Sequence, residues 1–290
     1  MTRTSFNHRY WWYIVLIIVI VIIMIGYLSK FRSKSLFQSK DDEVWFPSQP
    51  HQEIRINDCV AWYFDNDSDK IILYCHGNYG NMSYYAHMPL VAKRLGYSLM
   101  MFDYRGFGNS PGIASTGSIK EDGINVYRWL KQYYSESDII VWGESLGGSI
   151  ATWIAKHNKP SKLLLFSTFS NIHDVISIHS NGSCIIGAMV VIAGLIYDSL
   201  PINEWLRDVT TPTCIIHSTE DTYVPFLCAT INAKSKCITD FIPIEGDHTT
   251  PELKPIHVGQ LGRFLDASIS YEGLVSDLMM VRMNSPLCQL

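Results

Sequence analysis

Between Cys59 and Pro243 the chain carries seven short apolar runs separated by longer amphipathic stretches. They are Cys59–Phe64, Lys70–Cys75, Tyr97–Asp103, Asp138–Trp142, Lys162–Ser167, Thr213–His217 and Ile238–Pro243, and most are continuous rather than alternating in apolarity. A strand that is apolar on consecutive residues has both faces covered, which is the situation in a parallel sheet packed between helices. Helical stretches are expected near residues 82–95, 116–134, 146–157, 222–236 and 254–266, so strand and helix alternate. That alternation predicts an α/β fold, with a doubly wound, mostly parallel sheet and helices on both faces. A net charge of −4 argues against a nucleic-acid binder, so no nucleic acid is expected as partner.

A second feature lies upstream. From Tyr10 to Ser29 twenty residues pass without a charge, flanked by Trp11, Trp12 and Tyr13 at one end and Tyr27 at the other. About twenty apolar residues cross a hydrocarbon core of roughly 30 Å, and aromatic rings anchor at its boundaries. The run is longer than the apolar part of a secretory signal, and no alanine precedes Ala61 to form a cleavage site. One N-terminal transmembrane helix is therefore expected, making the chain a single-pass membrane protein with the lipid bilayer as a partner. Lys30, Arg32, Lys34 and Lys40 after the span outnumber Arg3 and Arg9 before it, which favours the cytoplasmic side for the remainder. The expected layout is a tail at 1–9, the anchor at 10–29, a polar linker at 30–53, the α/β domain at 54–268 with an insertion near 170–205, and an extension at 269–290.

Gly143-Glu144-Ser145-Leu146-Gly147-Gly148 follows a strand and opens a helix. In that context G-x-S-x-G is a nucleophile elbow: glycines at the first and last positions remove Cβ atoms that would collide across the sharp turn, and Ser145 is presented at a helix N-terminus. A serine hydroxyl is a weak nucleophile and needs a base, itself oriented by an acid. After the strand Thr213–His217, Glu220 and Asp221 stand on a loop, with Asp221 the preferred acid and Glu220 its competitor. After Ile238–Pro243 comes Glu245-Gly246-Asp247-His248, which places His248 on a loop before a helix, where the base belongs. The developing oxyanion needs backbone donors: the N–H of Leu146, and an N–H from the loop His76-Gly77-Asn78, assigned to Asn78. His76 has no partner at metal-ligand spacing, so no metal or cofactor is expected.

Together His76-Gly77-Asn78, Asp103-Tyr104-Arg105-Gly106-Phe107-Gly108, Gly143–Gly148, Asp221–Phe226 and Asp247-His248 resemble the α/β-hydrolase superfamily over residues 55–266. The closer similarity is to the α/β-hydrolase-domain proteins with an HGN loop and a DYRG(Y/F)G loop, a group rich in membrane serine hydrolases and protein depalmitoylases. The resemblance implies the α/β-hydrolase fold, places the acid on Asp221, and implies a Ser145–Asp221–His248 triad acting on an acyl ester or thioester, of a lipid or an acylated protein. Two alternatives stand beside this: a catalytically silent membrane interaction module, and a peptidase or amidase of the same fold. The chain departs from the group in carrying Glu144 before the serine and in having no cysteine before Cys59. An apolar stretch at 184–197 suits a lid, a core helix or a membrane-dipping segment. Seven cysteines without a C-x-x-C suit buried reduced thiols, and the sequons at Asn66, Asn81 and Asn181 are of the kind chance makes common.

Overall fold

The structure is a computed structural model and describes residues 19, 37–39, 49–172 and 200–274. Contacts divide the chain into two units, residues 1–38 and 39–290. In the first, Val19 is helical and exposed. The expected transmembrane helix at 10–29 lies otherwise outside the described residues, as do most of the 170–205 insertion and residues 275–290. Among the described residues no helix is long and apolar enough to cross a membrane.

The second unit is built on a mixed sheet. Its strands are β1 (Gln52–Ile56), β2 (Cys59–Phe64), β3 (Ile71–Cys75), β4 (Ser98–Phe102), β5 (Ile139–Glu144), β6 (Lys162–Phe166), β7 (Thr213–Ser218), β8 (Ile238–Asp247) and β9 (Thr250–Glu252), in the order β9-β8-β7-β6-β5-β3-β4-β2-β1. From β4 across to β8 every neighbouring pair is parallel, and β1, β2 and β9 are joined antiparallel. The central strands β3 and β4 are buried at every position, as their continuous apolar runs require.

Helices are α1 (Met88–Leu95), α2 (Thr116–Leu130), α3 (Leu146–His157), α4 (Ile202–Trp205), α5 (Phe226–Asn232) and α6 (Pro255–Leu265). On one face Val91, Leu95, Leu261 and Phe264 of α1 and α6 join Ile72, Tyr74, Leu99, Trp142 and Ile216 in a single apolar core. Meanwhile α3 packs on β5 and β6, and α2 packs on α3. There a Cβ on Gly123 would strike Ile150, so glycine sets how closely the two helices approach.

Gln52–Ile56, whose first two residues were expected in the linker, pairs with β2; its mostly exposed residues give no apolar run to read. Leu274 is buried in the core, so the start of the expected extension packs on the domain. The stretch expected as one helix at 82–95 is a 3₁₀ turn, Met82–Tyr85, followed by α1, because Pro89, with no N–H to donate, suits a first turn and not a helix interior. Helix α6 ends without glycine: Asp266 itself takes the left-handed conformation (φ 53°, ψ 39°) that a short polar side chain tolerates. The five described cysteines are buried. Asn81 is fully buried and caps the 3₁₀ turn, which excludes it as a glycan acceptor in the folded chain.

Candidate active site

The strand order reverses at β3: the chain passes from β3 to β4 on one side, then returns to place β5 on the other. The crevice at the carboxyl ends of β3 and β5 is thus the topological switch point, where open α/β sheets bind ligands. Both loops singled out in the sequence meet there. β5 ends in Glu144, and Ser145 caps α3 with φ 50° and ψ −114°, outside the regions that L-residues ordinarily occupy. Such a conformation costs about 1–3 kcal/mol and persists only when its surroundings enforce it. Here the Ser145 N–H donates to Phe166 O at 2.9 Å, and Thr168 Oγ1 donates to Ser145 O at 2.6 Å, so the carboxyl end of β6 straps the turn on both sides. Any Cβ on Gly147 would collide with the Cys75 carbonyl at the end of β3. That close approach is what brings the elbow against the His76-Gly77-Asn78 loop, where a Cβ on Gly77 would stand 3.6 Å from that of Ser145. Leu146 is the first residue of α3, so its N–H belongs to the helix turn that has no internal acceptor.

Asp221 follows β7. Its Oδ1 accepts the N–H groups of Tyr223 (2.9 Å) and Val224 (2.6 Å), and its Oδ2 accepts from His248 Nδ1 at 2.7 Å. A carboxylate is an acceptor only, so this contact puts the proton on Nδ1 and leaves Nε2 with its lone pair available. The competitor Glu220 faces another way, accepting the Gly246 N–H at 3.2 Å. His248 stands at the tip of a tight hairpin rather than on a strand-to-helix loop: Asp247 of β8 pairs with Thr250 of β9, leaving only His248 and Thr249 between them. The structure records no hydrogen bond between Ser145 Oγ and His248 Nε2, a contact that commonly forms only once substrate is bound.

Three further groups shape the site and were given no role in it from the sequence. His217, buried four residues before Asp221, has Nε2 at 2.7 Å from Val224 O and 3.5 Å from Asp221 Oδ2. Burial pushes its pKa down, keeping the ring neutral beneath the acid's turn. Asp247 Oδ1 accepts from Thr222 N (3.0 Å), Thr222 Oγ1 (2.9 Å) and His248 N (2.8 Å), which clasps the loop after Asp221 to the hairpin that carries His248. Those hydrogen bonds, led by the one from the Thr222 N–H, hold its carboxyl below the usual range. Glu144, directly before the serine, accepts from Tyr74 Oη at 2.5 Å, and burial raises its pKa against the effect of that hydrogen bond. The i,i+4 spacing of His217 and Asp221 was visible in the sequence, but only the fold turns both side chains to one point.

His76 is structural in its contacts. Fully buried, it donates from Nδ1 to Gly77 O at 2.7 Å, stacks on Tyr104 with centroids 4.4 Å apart, and sets Nε2 3.3 Å from Asp103 Oδ1. A hydroxyl on a strained elbow, an imidazole bonded to a carboxylate, and backbone N–H groups beside them are the groups that acyl transfer requires.

Comparison with known proteins agrees with this geometry. The family model of the alpha/beta hydrolase fold matches residues 70–176. Lysophosphatidylserine lipase ABHD12 of Danio rerio is 30% identical over 212 residues, covering 63% of this chain and 52% of the relative. Its Rattus norvegicus counterpart is 28% identical over 245 residues, covering 70% and 58%. The chain therefore spans little more than half the length of the curated relatives it matches. Among solved structures, the Pyrococcus furiosus esterase Pf2001 superposes with a TM-score of 0.63 at 19% identity, covering 80% of this chain and 97% of that one. Mouse alpha/beta hydrolase domain-containing protein 10 gives 0.54 at 20% identity, covering 75% and 97%. At such identities the structural likeness establishes the fold.

Proposed function

For a chain that belongs to the α/β-hydrolase superfamily, we propose the activity of a membrane-tethered serine hydrolase that cleaves ester or thioester bonds through an acyl-Ser145 intermediate. The observation that carries this reading is the 2.7 Å hydrogen bond from His248 Nδ1 to Asp221 Oδ2 at the same sheet edge as the strained Ser145 elbow. Ser145 Oγ attacks the acyl carbon while His248 Nε2 takes its proton. The tetrahedral oxyanion accepts from the N–H groups of Leu146 and Asn78. Collapse breaks the bond to the alcohol or thiol, which leaves with the proton from His248. Water then attacks the acyl-serine with His248 again as base, releasing the acid and restoring Ser145. Throughout, Asp221 keeps the imidazole in the tautomer that exposes Nε2 and stabilises the imidazolium.

The uncharged run at 10–29 supports the tether, and the flanking charges favour a cytoplasmic catalytic unit. Relatives that bear the name lysophosphatidylserine lipase support an acyl ester of a lipid as the substrate class. Full-length protein in lipid nanodiscs is expected to hydrolyse a long-chain lysophospholipid faster than a short soluble ester, and Ser145→Ala is expected to abolish both. Equal turnover of the two substrates would remove the lipid preference, and turnover no higher than that of Ser145→Ala would remove the activity.

A further inference from the structure

One imidazole in the site takes no part in the proton relay. His217 is the penultimate residue of β7, a strand that lies between β6 and β8, and its side chain is fully buried. Its Nε2 stands 2.7 Å from Val224 O and 3.5 Å from Asp221 Oδ2. A carbonyl oxygen only accepts, so the proton is on Nε2 and is donated to Val224. The backbone of Val224 is thus held from two sides: its N–H donates to Asp221 Oδ1 at 2.6 Å, and its C=O accepts from His217. Both backbone donors to Asp221 Oδ1, from Tyr223 and Val224, belong to the loop that carries the acid, so they fix the carboxylate relative to that loop only. The His217 contact fixes the Val224 end of the loop relative to the sheet. Phe226, the first residue of α5, stands edge-on to the imidazole with ring centroids 6.1 Å apart and limits its rotation. The other ring nitrogen, Nδ1, is buried with no hydrogen-bond partner among the described residues. A buried unsatisfied acceptor destabilises a fold, so packing alone would favour an apolar side chain in this place.

Building on the hydrolase reading, we propose that His217 is a positioning residue: its Nε2–H anchors the Val224 end of the acid's turn to β7 and so keeps Asp221 Oδ2 aimed at His248 Nδ1. The contacts form an unbroken chain, from His217 Nε2 to Val224 O, from Val224 N to Asp221 Oδ1, and from Asp221 Oδ2 to His248 Nδ1 at 2.7 Å. The single Nε2 proton is committed to Val224 O, and 3.5 Å to Oδ2 is too long for a full hydrogen bond, so His217 leaves Oδ2 to His248. The base depends on that oxygen to hold the tautomer that exposes its own Nε2. A residue anchored on a strand confines the acid more tightly than a loop does by itself. Without the anchor the turn shifts, the bond to His248 Nδ1 loosens, and the imidazole loses its fixed tautomer.

The test reads the His248 tautomer by nitrogen NMR of histidine-labelled full-length protein in lipid nanodiscs, with the His248 signals assigned by their loss in His248→Gln. Turnover of a short p-nitrophenyl ester is measured on the same samples. Wild type is expected in the Nδ1–H form. His217→Leu removes the donor together with the unpartnered acceptor. It is expected to mix the two tautomers and to lower kcat about tenfold or more, with KM within about threefold of wild type. His217→Gln, whose amide nitrogen reaches the place of Nε2, is expected to recover most of both properties. A folded His217→Leu in which His248 keeps the Nδ1–H form, or whose kcat stays within about threefold of wild type, overturns the proposal, and so does a His217→Gln no better than His217→Leu. If His217→Leu does not fold, His217→Asn, whose shorter amide falls short of Val224 O, takes its place with the same outcomes. Wild-type protein that neither hydrolyses the ester nor labels with a fluorophosphonate would instead remove the hydrolase reading, a result the tautomer spectra do not depend on.

Discussion

Asp221 and Glu220 are neighbours with the same charge, and only local geometry separates them. The N–H groups of Tyr223 and Val224 converge on a carboxylate two and three residues back, which suits the short Asp221 side chain, and its second oxygen is left for His248. Glu220 reaches the Gly246 N–H from an exposed position. Asp221→Asn is therefore expected to lower the rate of ester hydrolysis by about 10³-fold or more, because an amide at that position favours the wrong imidazole tautomer. Glu220→Gln is expected to stay within a few-fold of wild type, and a larger loss from Glu220→Gln than from Asp221→Asn would reverse the assignment. The sequence preferred Asp221 over its competitor Glu220, but spacing along a loop does not say which side chain turns back onto the backbone. Ser145 was legible because its strained turn demands glycines at fixed offsets, and Gly147 meets that demand against the Cys75 carbonyl.

The elements around the site differ from sequence expectation where an edge replaces a centre. β8 was expected to stop at Pro243 but continues to Asp247: it pairs with β7 on one side, and β9 joins the other only from Glu245 onward, so the missing proline N–H disrupts no ladder. The extra length carries the chain into the hairpin that holds His248. Likewise the helix expected from 222 begins at Phe226, because residues 221–224 form the acid's turn. The two loops are joined by Asp247, whose carboxylate accepts from Thr222 and from the His248 N–H. Asp247→Ala is expected to lower hydrolysis about tenfold by letting base and acid drift apart. Its melting temperature should change little, since Asp247 is exposed. The depressed folded pKa of Asp247 fixes the sign of its pH dependence. Its contribution is fully present above the ordinary carboxylate range and is lost as pH falls through the lowered value. Unchanged activity in Asp247→Ala would show that the hairpin holds His248 without the clasp.

At the scale of the whole molecule, the α/β class was legible from strands buried on both faces, and the switch point at β3 and β5 explains why motifs 67 residues apart, His76 and Gly143, serve one crevice. What was not legible is what the chain order hides: the polar edge strand β1, the hairpin at His248, and the second imidazole under Asp221. The scarcity of charge, 17% of residues against about a quarter in soluble domains, has a counterpart in this site, where among the described residues no lysine or arginine pairs with Glu144. The central claim is that Ser145 is the activated nucleophile, and its most direct measurement is covalent capture. Full-length protein in native membranes, treated with a fluorophosphonate probe and mapped by peptide mass spectrometry, is expected to carry one adduct, on Ser145, and Ser145→Ala is expected to carry none. No adduct on the wild-type chain, or equal labelling of Ser145→Ala, would contradict the account.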